Sequence, residues 1–362
     1  MALDLEIDPD IRRARTLPAS FYRDDEVLRR TRERLLPRSW QLIGDSDWMS
    51  HPGTAVPVTL LPGCLDEPLL LTCDAEKRLR CLSNVCTHRA NILVTETTSA
   101  STIRCRYHGR RFGLDGHMVH MPEFEQALDF PSDRDDLPQL SLGQLGKFLF
   151  TSMDPRMPFD EWIAPVRTRL HWLPLDDFKA DLNRSRQYTV KANWALYCDN
   201  YLEGFHIPFV HPGLGQAVEY ATYQTELFRW GTLQIAHGPD AFTLPIDSPD
   251  SGQSVAAYYF FLFPNTMLNF YPWGLSVNVV VPLSIDQSRV HFFSYVGDPS
   301  RLGQGAGANL DGVEAEDEAI VEAVQRGMSS RLYKAGRYSP TRETGVHHFH
   351  RLLAEHCASV DG

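Results

Sequence analysis

The spacing of apolar positions changes character twice along the chain. Residues 1–38 carry charged, helix-prone text (FYRDDEVLRRTRERLLPRSW) that ends near Pro37. From 39 to 155 the apolar runs are short and β-branched (AVPVTLLPG, PLLLTC, KFLFTSMDP), punctuated by Pro-Gly, Leu-Asp-Gly and Asp-Pro turns. That pattern predicts a small all-β unit. From about 156 helical and strand periods alternate: a helix over 158–171, strand-like RQYTVKA, a helix over 195–207, long strands between 220 and 297, and a strong helix over 313–332. This order predicts α+β, with helices packed on an antiparallel sheet. The most apolar stretch, 255–283, is interrupted by Pro264, Asn265, Asn269 and Pro272. It makes a poor bilayer span and predicts two or three buried strands instead. Only RLGQGAGANLDG at 301–312 is of low complexity, and a mobile surface loop is expected there.

Composition narrows the function classes. A prior of ~150 residues per domain suggests two domains beyond the N-terminal segment: 39–155, and 156–362 with residues 1–38 packed against it. Forty-six acidic against 35 basic residues leave a net charge of -11, which argues against nucleic acid as a partner. The seven cysteines are odd in number and scattered, and the opening MALDLEIDPD has no apolar signal-like run. A cytoplasmic setting is therefore expected.

The chemistry concentrates first in CTHR and CRYHGRR. Cys86, His88, Cys105 and His108 form C-x-H-x16-C-x-x-H. Chance is a poor account of so specific a spacing. Two thiolates and two imidazoles suit tetrahedral zinc, but they also suit a Rieske [2Fe–2S] cluster, where two cysteines hold one iron and two histidines the other. Each loop contributes one Cys and one His, which favours the cluster, because zinc fingers more often take both thiols from one loop. Cys81 has the setting of a core thiol in a strand and needs no such function.

An electron relay calls for a second centre. In DNYLEGFHIPFVHP, residues 199–212, Asp199, Glu203 and His206 would share one face of a continuous helix, and Pro208 would disrupt it and let His211 turn back toward His206. A third ligand is available on the 313–332 helix. There Val313, Ile320, Val321, Val324 and Met328 form an apolar stripe with Asp317 at its centre, Glu314 at its edge, and Glu316 and Glu318 well off it. A carboxylate on a buried face must be paired or bind metal. Two histidines and one carboxylate are the facial set used for non-haem iron, and because the two histidines lack a third partner, a ligand role for Asp317 is favoured over a salt bridge to a buried Arg or Lys.

C-T-H-R, C-x-Y-H-G with F-G-L-D-G, N-Y-L-E-x-x-H-x4-H-P, the acidic VQRG helix and F-H-R-L-L together resemble the catalytic α subunit of Rieske non-haem iron oxygenases, in pattern nearest the choline monooxygenase and quaternary-amine branch. The resemblance implies a helix-grip (START-like) catalytic domain with a curved antiparallel sheet, a Rieske [2Fe–2S] cluster, a mononuclear Fe(II), O2 as co-substrate and electrons from NAD(P)H through a flavin reductase or ferredoxin. It also implies a homotrimer in which Glu203 bridges His206 and the His108 of a neighbouring copy. The substrate class it implies is a small quaternary amine or betaine that is hydroxylated or N-demethylated. An arene or aromatic acid, as in ring-hydroxylating dioxygenases, is the alternative, and a non-catalytic electron-transfer or zinc protein is the alternative of another class. YHGRRF departs from the commoner YHGW wording.

Three further features bear on partners and substrate. Between Arg78 and Arg111 seven arginines (Arg78, Arg80, Arg89, Arg104, Arg106, Arg110, Arg111) face the single acid Glu96, which suggests either docking of an acidic electron donor or pairing with an adjacent subunit. Pocket candidates are Phe205, Phe209, Tyr258, Tyr259, Phe263, Asn269, Tyr271 and Trp273, of which strand alternation lets about half face inward. Their rings suit either a cation–π cage or an apolar slot. HHFH at 347–350 reads as surface or packing rather than a metal cluster.

Overall fold

Short β-branched runs between turn residues cannot bury themselves alone, and in the computed structural model, which describes residues 5–358, they pair into one antiparallel unit spanning 37–157. The first four positions of the 1–38 segment and the last four of 156–362 lie outside the described residues. The larger sheet of this unit has the spatial order Gln41–Asp45, Phe148–Ser152, Gln139–Leu145, Leu79–Ser83, Glu67–Cys73, Thr54–Leu60, Thr98–Ser99. A second, three-stranded sheet comprises Thr102–Arg104, Arg111–Gly113 and Met118–His120. Leu70, Leu82, Ile103, Phe112 and Leu114 pack into a core that includes Cys86 and Cys105. Cys81, opposite Leu71 on the neighbouring strand, is fully buried, and burial pushes its thiol up to about 11.

The other unit comprises residues 1–36 with 158–362. Its curved, antiparallel sheet runs Lys179–Ala180, Gln287–Val296, Gly274–Ser284, Thr266–Tyr271, Val255–Leu262, Gly231–His237, Gln224–Phe228, and Arg186–Val190 also pairs with Gln287–Val296. The apolar stretch 255–283 is thus three buried strands joined by tight turns. With the small all-β unit, this gives the α+β class. Among the described residues no helix is long and apolar enough to cross a membrane.

The N-terminal segment is a broken helix. Phe21–Arg23 is one turn, Asp24 caps Asp25–Arg30 by accepting from the Glu26 N–H at 2.9 Å, and Thr31–Leu35 widens into a π-turn. Arg32 donates to the Leu283 carbonyl at 2.6 Å and Tyr22 to Asp199 at 2.7 Å, which ties the segment to the larger unit. HHFH belongs to the helix Thr344–Ala358 and is packing, not surface. His350 is 1% exposed and bonded to Asp199 at 2.8 Å, and Phe349 meets the Phe261 and Phe263 rings.

Three expected elements differ from what is observed. The 195–207 helix stops early: Trp194–Tyr201 is helical, and the chain then turns before Ile207–Val210. Glu203 accepts from the Phe205 and His206 N–H groups, so it holds the turn that leads into the second helix, and Pro208 sits in that helix's first turn, where no N–H is missed. Pro208 therefore begins a helix rather than ending one, and Asp199 faces Tyr22 and His350, away from Glu203 and His206. At Gly204 a Cβ would come within 2.7 Å of the Tyr223 ring, so the turn admits only glycine without a shift. The late helix spans Leu310–Met328 and its inward face is rotated from the expected stripe. Ile320 and Val324 are each 40% exposed, while Glu314 is 4% exposed. Residues 301–312 are a surface loop only in part: Gly303, Gln304, Ala308, Asn309 and Asp311 are exposed, whereas Ala306 and Gly307 are buried and Ala306 and Leu310 line a cleft.

Candidate active site

The two Cys/His loops are close structural copies. In the first, the Ala90 N–H closes on the Cys86 carbonyl at 3.0 Å and the Cys86 N–H reaches Asn91 at 2.9 Å; in the second, Gly109 closes on Cys105 at 3.1 Å and Cys105 reaches Arg110 at 2.8 Å. Both closing residues lie in left-handed backbone, at φ 52° for Ala90 and 79° for Gly109, the conformation that lets each loop double back. Backbone N–H groups of His88 and Arg89 point at the Cys86 sulfur, and those of Tyr107 and His108 at Cys105. Asn91 adds its amide 3.7 Å from the Cys105 sulfur. Burial raises the Cys86 thiol. At Cys105 burial also raises, but the N–H donors together with Cys86 outweigh it and the thiol is lowered.

The four side chains pair off by type. The two sulfurs contact each other, and the His88 and His108 rings stand edge to face 4.7 Å apart. One tetrahedral ion would draw all four together, whereas two irons take a thiol pair and an imidazole pair. The donor set therefore fits a Rieske cluster. His108 is exposed and Tyr107 stacks on it at 3.7 Å.

Arg110 belongs to this framework and not to a docking surface. It is 2% exposed, donates to Thr87 at 2.7 Å and Asp135 at 3.1 Å, and lies over the Phe124 and Phe130 rings. Thr87 stands between Cys86 and His88, so Arg110 braces one loop from the other. Arg80 is paired with Asp74 at 2.7 Å. Arg78, Arg89, Arg104, Arg106 and Arg111 are the exposed members of the arginine set.

In the larger unit, His206, His211 and Asp317 each offer a ligand atom within 4.8 Å of the others, the one such trio among the described residues. Both Nε2 atoms face the same Asp317 oxygen, at 3.5 Å from His206 and 3.0 Å from His211. Behind each ring a carboxylate holds Nδ1: Glu203 on His206 at 2.8 Å and Glu316 on His211 at 2.7 Å. That arrangement keeps the proton on Nδ1 and the Nε2 lone pair inward, the usual support of metal-binding imidazoles. Burial lowers the proton affinity of His211, but Asp317 and Glu316 reverse the direction. Asn200 donates to the shared Asp317 oxygen at 2.6 Å. The trio fits one divalent metal with open positions. Glu316, expected to point away, and Asn200 were not read from sequence. Asn200's signal was its place on one helical face with Tyr197 and Tyr201.

The trio opens onto a cleft of about 820 Å³, including its mouth. Asn269, Tyr271 and Tyr259 line it, as do Glu203, His206, His211 and Asp317. The other candidates lie elsewhere. Phe205 and Phe209 are 40% and 77% exposed, since the broken helix turns them outward. Tyr258 alternates to the opposite strand face from Tyr259 and bonds Asp250 at 2.8 Å. Trp273 stacks behind Tyr271 at 5.4 Å, and Phe263 packs on Phe349. Tyr197, Tyr201, Tyr223, Phe292 and Glu314 also line it and were missed as pocket residues by the sequence reading.

Glu314 is the unusual group. Burial pushes its carboxyl up to about 8, the Tyr197 hydrogen bond works against this, and Asp317 and Glu318 add repulsion. Its folded value lies above the ordinary 4.5, so its contribution to stability is present below that pH and is lost as pH rises toward about 8. Glu314→Gln should melt with wild type near about pH 5 and be more stable by about 2–4 kcal/mol at about pH 8. Thermal unfolding of both proteins across this range measures the difference, and a pH-independent gap would contradict it.

A thiol-and-imidazole cluster site and a separate two-histidine, one-carboxylate site on one chain define an iron protein that couples single-electron delivery to oxygen chemistry. Residues 39–139 match the Rieske [2Fe-2S] domain family, and residues 175–359 match the family described as ring hydroxylating alpha subunit (catalytic domain). The chain belongs to the Rieske non-haem iron oxygenases, the oxidoreductases built on this ring-hydroxylating α subunit. It is 32% identical to the chloroplastic choline monooxygenase of Arabidopsis thaliana, over 96% of this chain and 85% of that protein. It is 29% identical to the carnitine monooxygenase oxygenase subunit of Escherichia coli (strain K12), over 94% and 93%. Among solved structures, a quaternary ammonium Rieske monooxygenase matches with a TM-score of 0.77 at 24% identity, covering 98% of this chain and 99% of that one. Naphthalene 1,2-dioxygenase from Rhodococcus sp. matches with 0.74 at 18%, covering 96% and 95%. The family's cofactors are the Rieske cluster and a mononuclear iron, with O2 and electrons from a partner protein.

Proposed function

We propose that this chain hydroxylates or N-demethylates a small cationic amine, a quaternary ammonium or betaine. The observation that carries the reading is the cleft beside the metal trio. Tyr201, Tyr223, Tyr259 and Tyr271 surround it, Glu314 adds an acid, and no lysine or arginine lies among its described lining residues. Aromatic faces and an acid that ionises beside a positive charge suit a cation, whereas an arene would leave the buried Glu314 Oε1 without a partner. The choline and carnitine monooxygenases similar to this chain support the same reading.

Cys86 and Cys105 would hold one iron of the cluster, His88 and His108 the other, and His206, His211 and Asp317 the mononuclear iron. When bound, the cluster supplies single electrons and the mononuclear iron activates oxygen. The chain's own groups set the conditions. Glu203 and Glu316 keep the protons on the histidine Nδ1 atoms, and Asn200 orients Asp317. The tyrosines exclude water around the carbon to be oxidised. In a homotrimer Glu203 would bridge His206 and the His108 of a neighbouring copy, a role favoured by its hydrogen bond to His206 Nδ1 at 2.8 Å at the cleft wall. The electron donor is a ferredoxin or flavin reductase drawing on NAD(P)H, docked on the exposed Arg89, Arg106 and Arg111 in the cytoplasm. Arg106→Glu with Arg111→Glu should slow cluster reduction several-fold at low salt; rates indifferent to both the charge reversal and ionic strength would remove the docking site.

Oxygen uptake measured with a surrogate reductase across betaines, choline, carnitine and simple aromatic acids tests the substrate class. Stimulation by the amines, with hydroxylated or demethylated product, is expected. Stimulation by arenes alone would replace the amine and leave the oxygenase chemistry in place.

A further inference from the structure

Glu314 has the chemistry of half an ion pair. Its side chain sits on the Leu310–Met328 helix one turn before Asp317 and is 4% exposed. Tyr197 donates to Oε2 at 2.6 Å, while Oε1 is buried with no hydrogen-bond partner. The charges near it are of the wrong sign to neutralise it, since Asp317 and Glu318 share its helix. An adjoining cavity, which shares Ser276, Phe292, Leu310 and Glu314 with the main cleft, contains Arg184 and Arg186. Arg186 is 3.6 Å from Asp311, and Arg184 lies over the Trp273 ring at 5.7 Å. Neither forms an ion pair with Glu314 among the described residues.

A buried acid with an unpartnered oxygen and no cation beside it is costly, and a cation entering the cleft would supply the missing partner. We propose that Glu314 is the counter-ion for the positively charged nitrogen of the substrate, and so selects cations over neutral molecules of the same shape. This rests on the amine reading above and names the residue that enforces it. The spacing suits the chemistry: residues three apart on a helix face have Cβ atoms about 5–6 Å apart. A nitrogen held at Glu314 therefore places its own alkyl carbons beside Asp317 and the two histidines. The cation is oriented as well as bound, with the carbons next to nitrogen nearest the metal site. Burial pushes this carboxyl up to about 8, and a cation beside Oε1 would favour its ionised form.

The test compares choline with 3,3-dimethylbutan-1-ol, which has the same shape and no charge, by calorimetric titration of the iron-loaded protein without electron donor. Wild type should bind choline at least about tenfold more tightly than the neutral alcohol, a preference of about 1.4 kcal/mol. Glu314→Gln keeps the acceptor for Tyr197 and should lose that preference by weakening choline alone, while Glu318→Gln, on the same helix, should keep it. If Glu314→Gln retains the full preference, the counter-ion assignment is overturned and the amine reading stands. If wild type binds choline no better than the alcohol, both fall.

Discussion

Asp317→Ala should give a protein that keeps its Rieske absorption and has no oxygenase activity. Asp317 is the point on which the site converges: its Oδ1 meets Nε2 of His206 and His211 and accepts from Asn200. Alanine leaves two neutral nitrogens, too few to retain iron with open positions. Even an outer partner of a metal ligand is worth ~10–100-fold in affinity or activity, so loss of a ligand should cost roughly 1,000-fold or more in turnover. Iron should fall from about three to about two atoms per chain, the two of the cluster. Folding should be spared, because the change also removes one negative charge near Glu314. A variant that keeps its third iron would show that Asp317 is only a salt-bridge partner of the two histidines.

Glu203→Gln should hold both metals and transfer electrons slowly. Its carboxylate accepts from the Phe205 and His206 N–H groups and from His206 Nδ1 at 2.8 Å, so it is first a local positioning group. Glutamine preserves an acceptor for those donors but removes the negative charge behind the His206 ring. Turnover should drop about 10–100-fold, and in a single turnover with substrate and O2 the reduced cluster should reoxidise correspondingly slowly. Glu203→Asp, shorter but charged, should recover part of the rate. If the glutamine variant reoxidises at the wild-type rate, Glu203 holds the local turn and carries nothing.

Much of the site was legible in sequence because ligand chemistry is local. Cys86, His88, Cys105 and His108 announce themselves by residue type and spacing, and the two loops they occupy close through backbone hydrogen bonds within five residues. His206 and His211 were legible for the same reason. The reasoning that joined them was wrong in detail, since it assumed one helix through Glu203. The helix instead ends at Tyr201, and the chain turns through Gly204, against which the Tyr223 ring packs. Phe205 and Phe209 were misplaced for that reason alone.

The periods of the chain determined its all-β and α+β units and the buried strands of 255–283, because alternation and helical spacing depend on neighbours a few residues apart. Which face of the Leu310–Met328 helix turns inward depended on its partners: Tyr197 and Asn200 hold Glu314 and Asp317 at the cleft, Glu316 holds His211 from behind, and Ile320 and Val324 stay half in solvent. Arg110 likewise read as a surface charge until Thr87, Asp135 and two phenylalanine rings closed around it. Buried polar groups are placed by partners far away in the chain, and no local period encodes those. The candidate metal ligands could therefore be found from sequence, while Glu314, the buried acid of the cleft, appeared only when the helix and its neighbours were brought together.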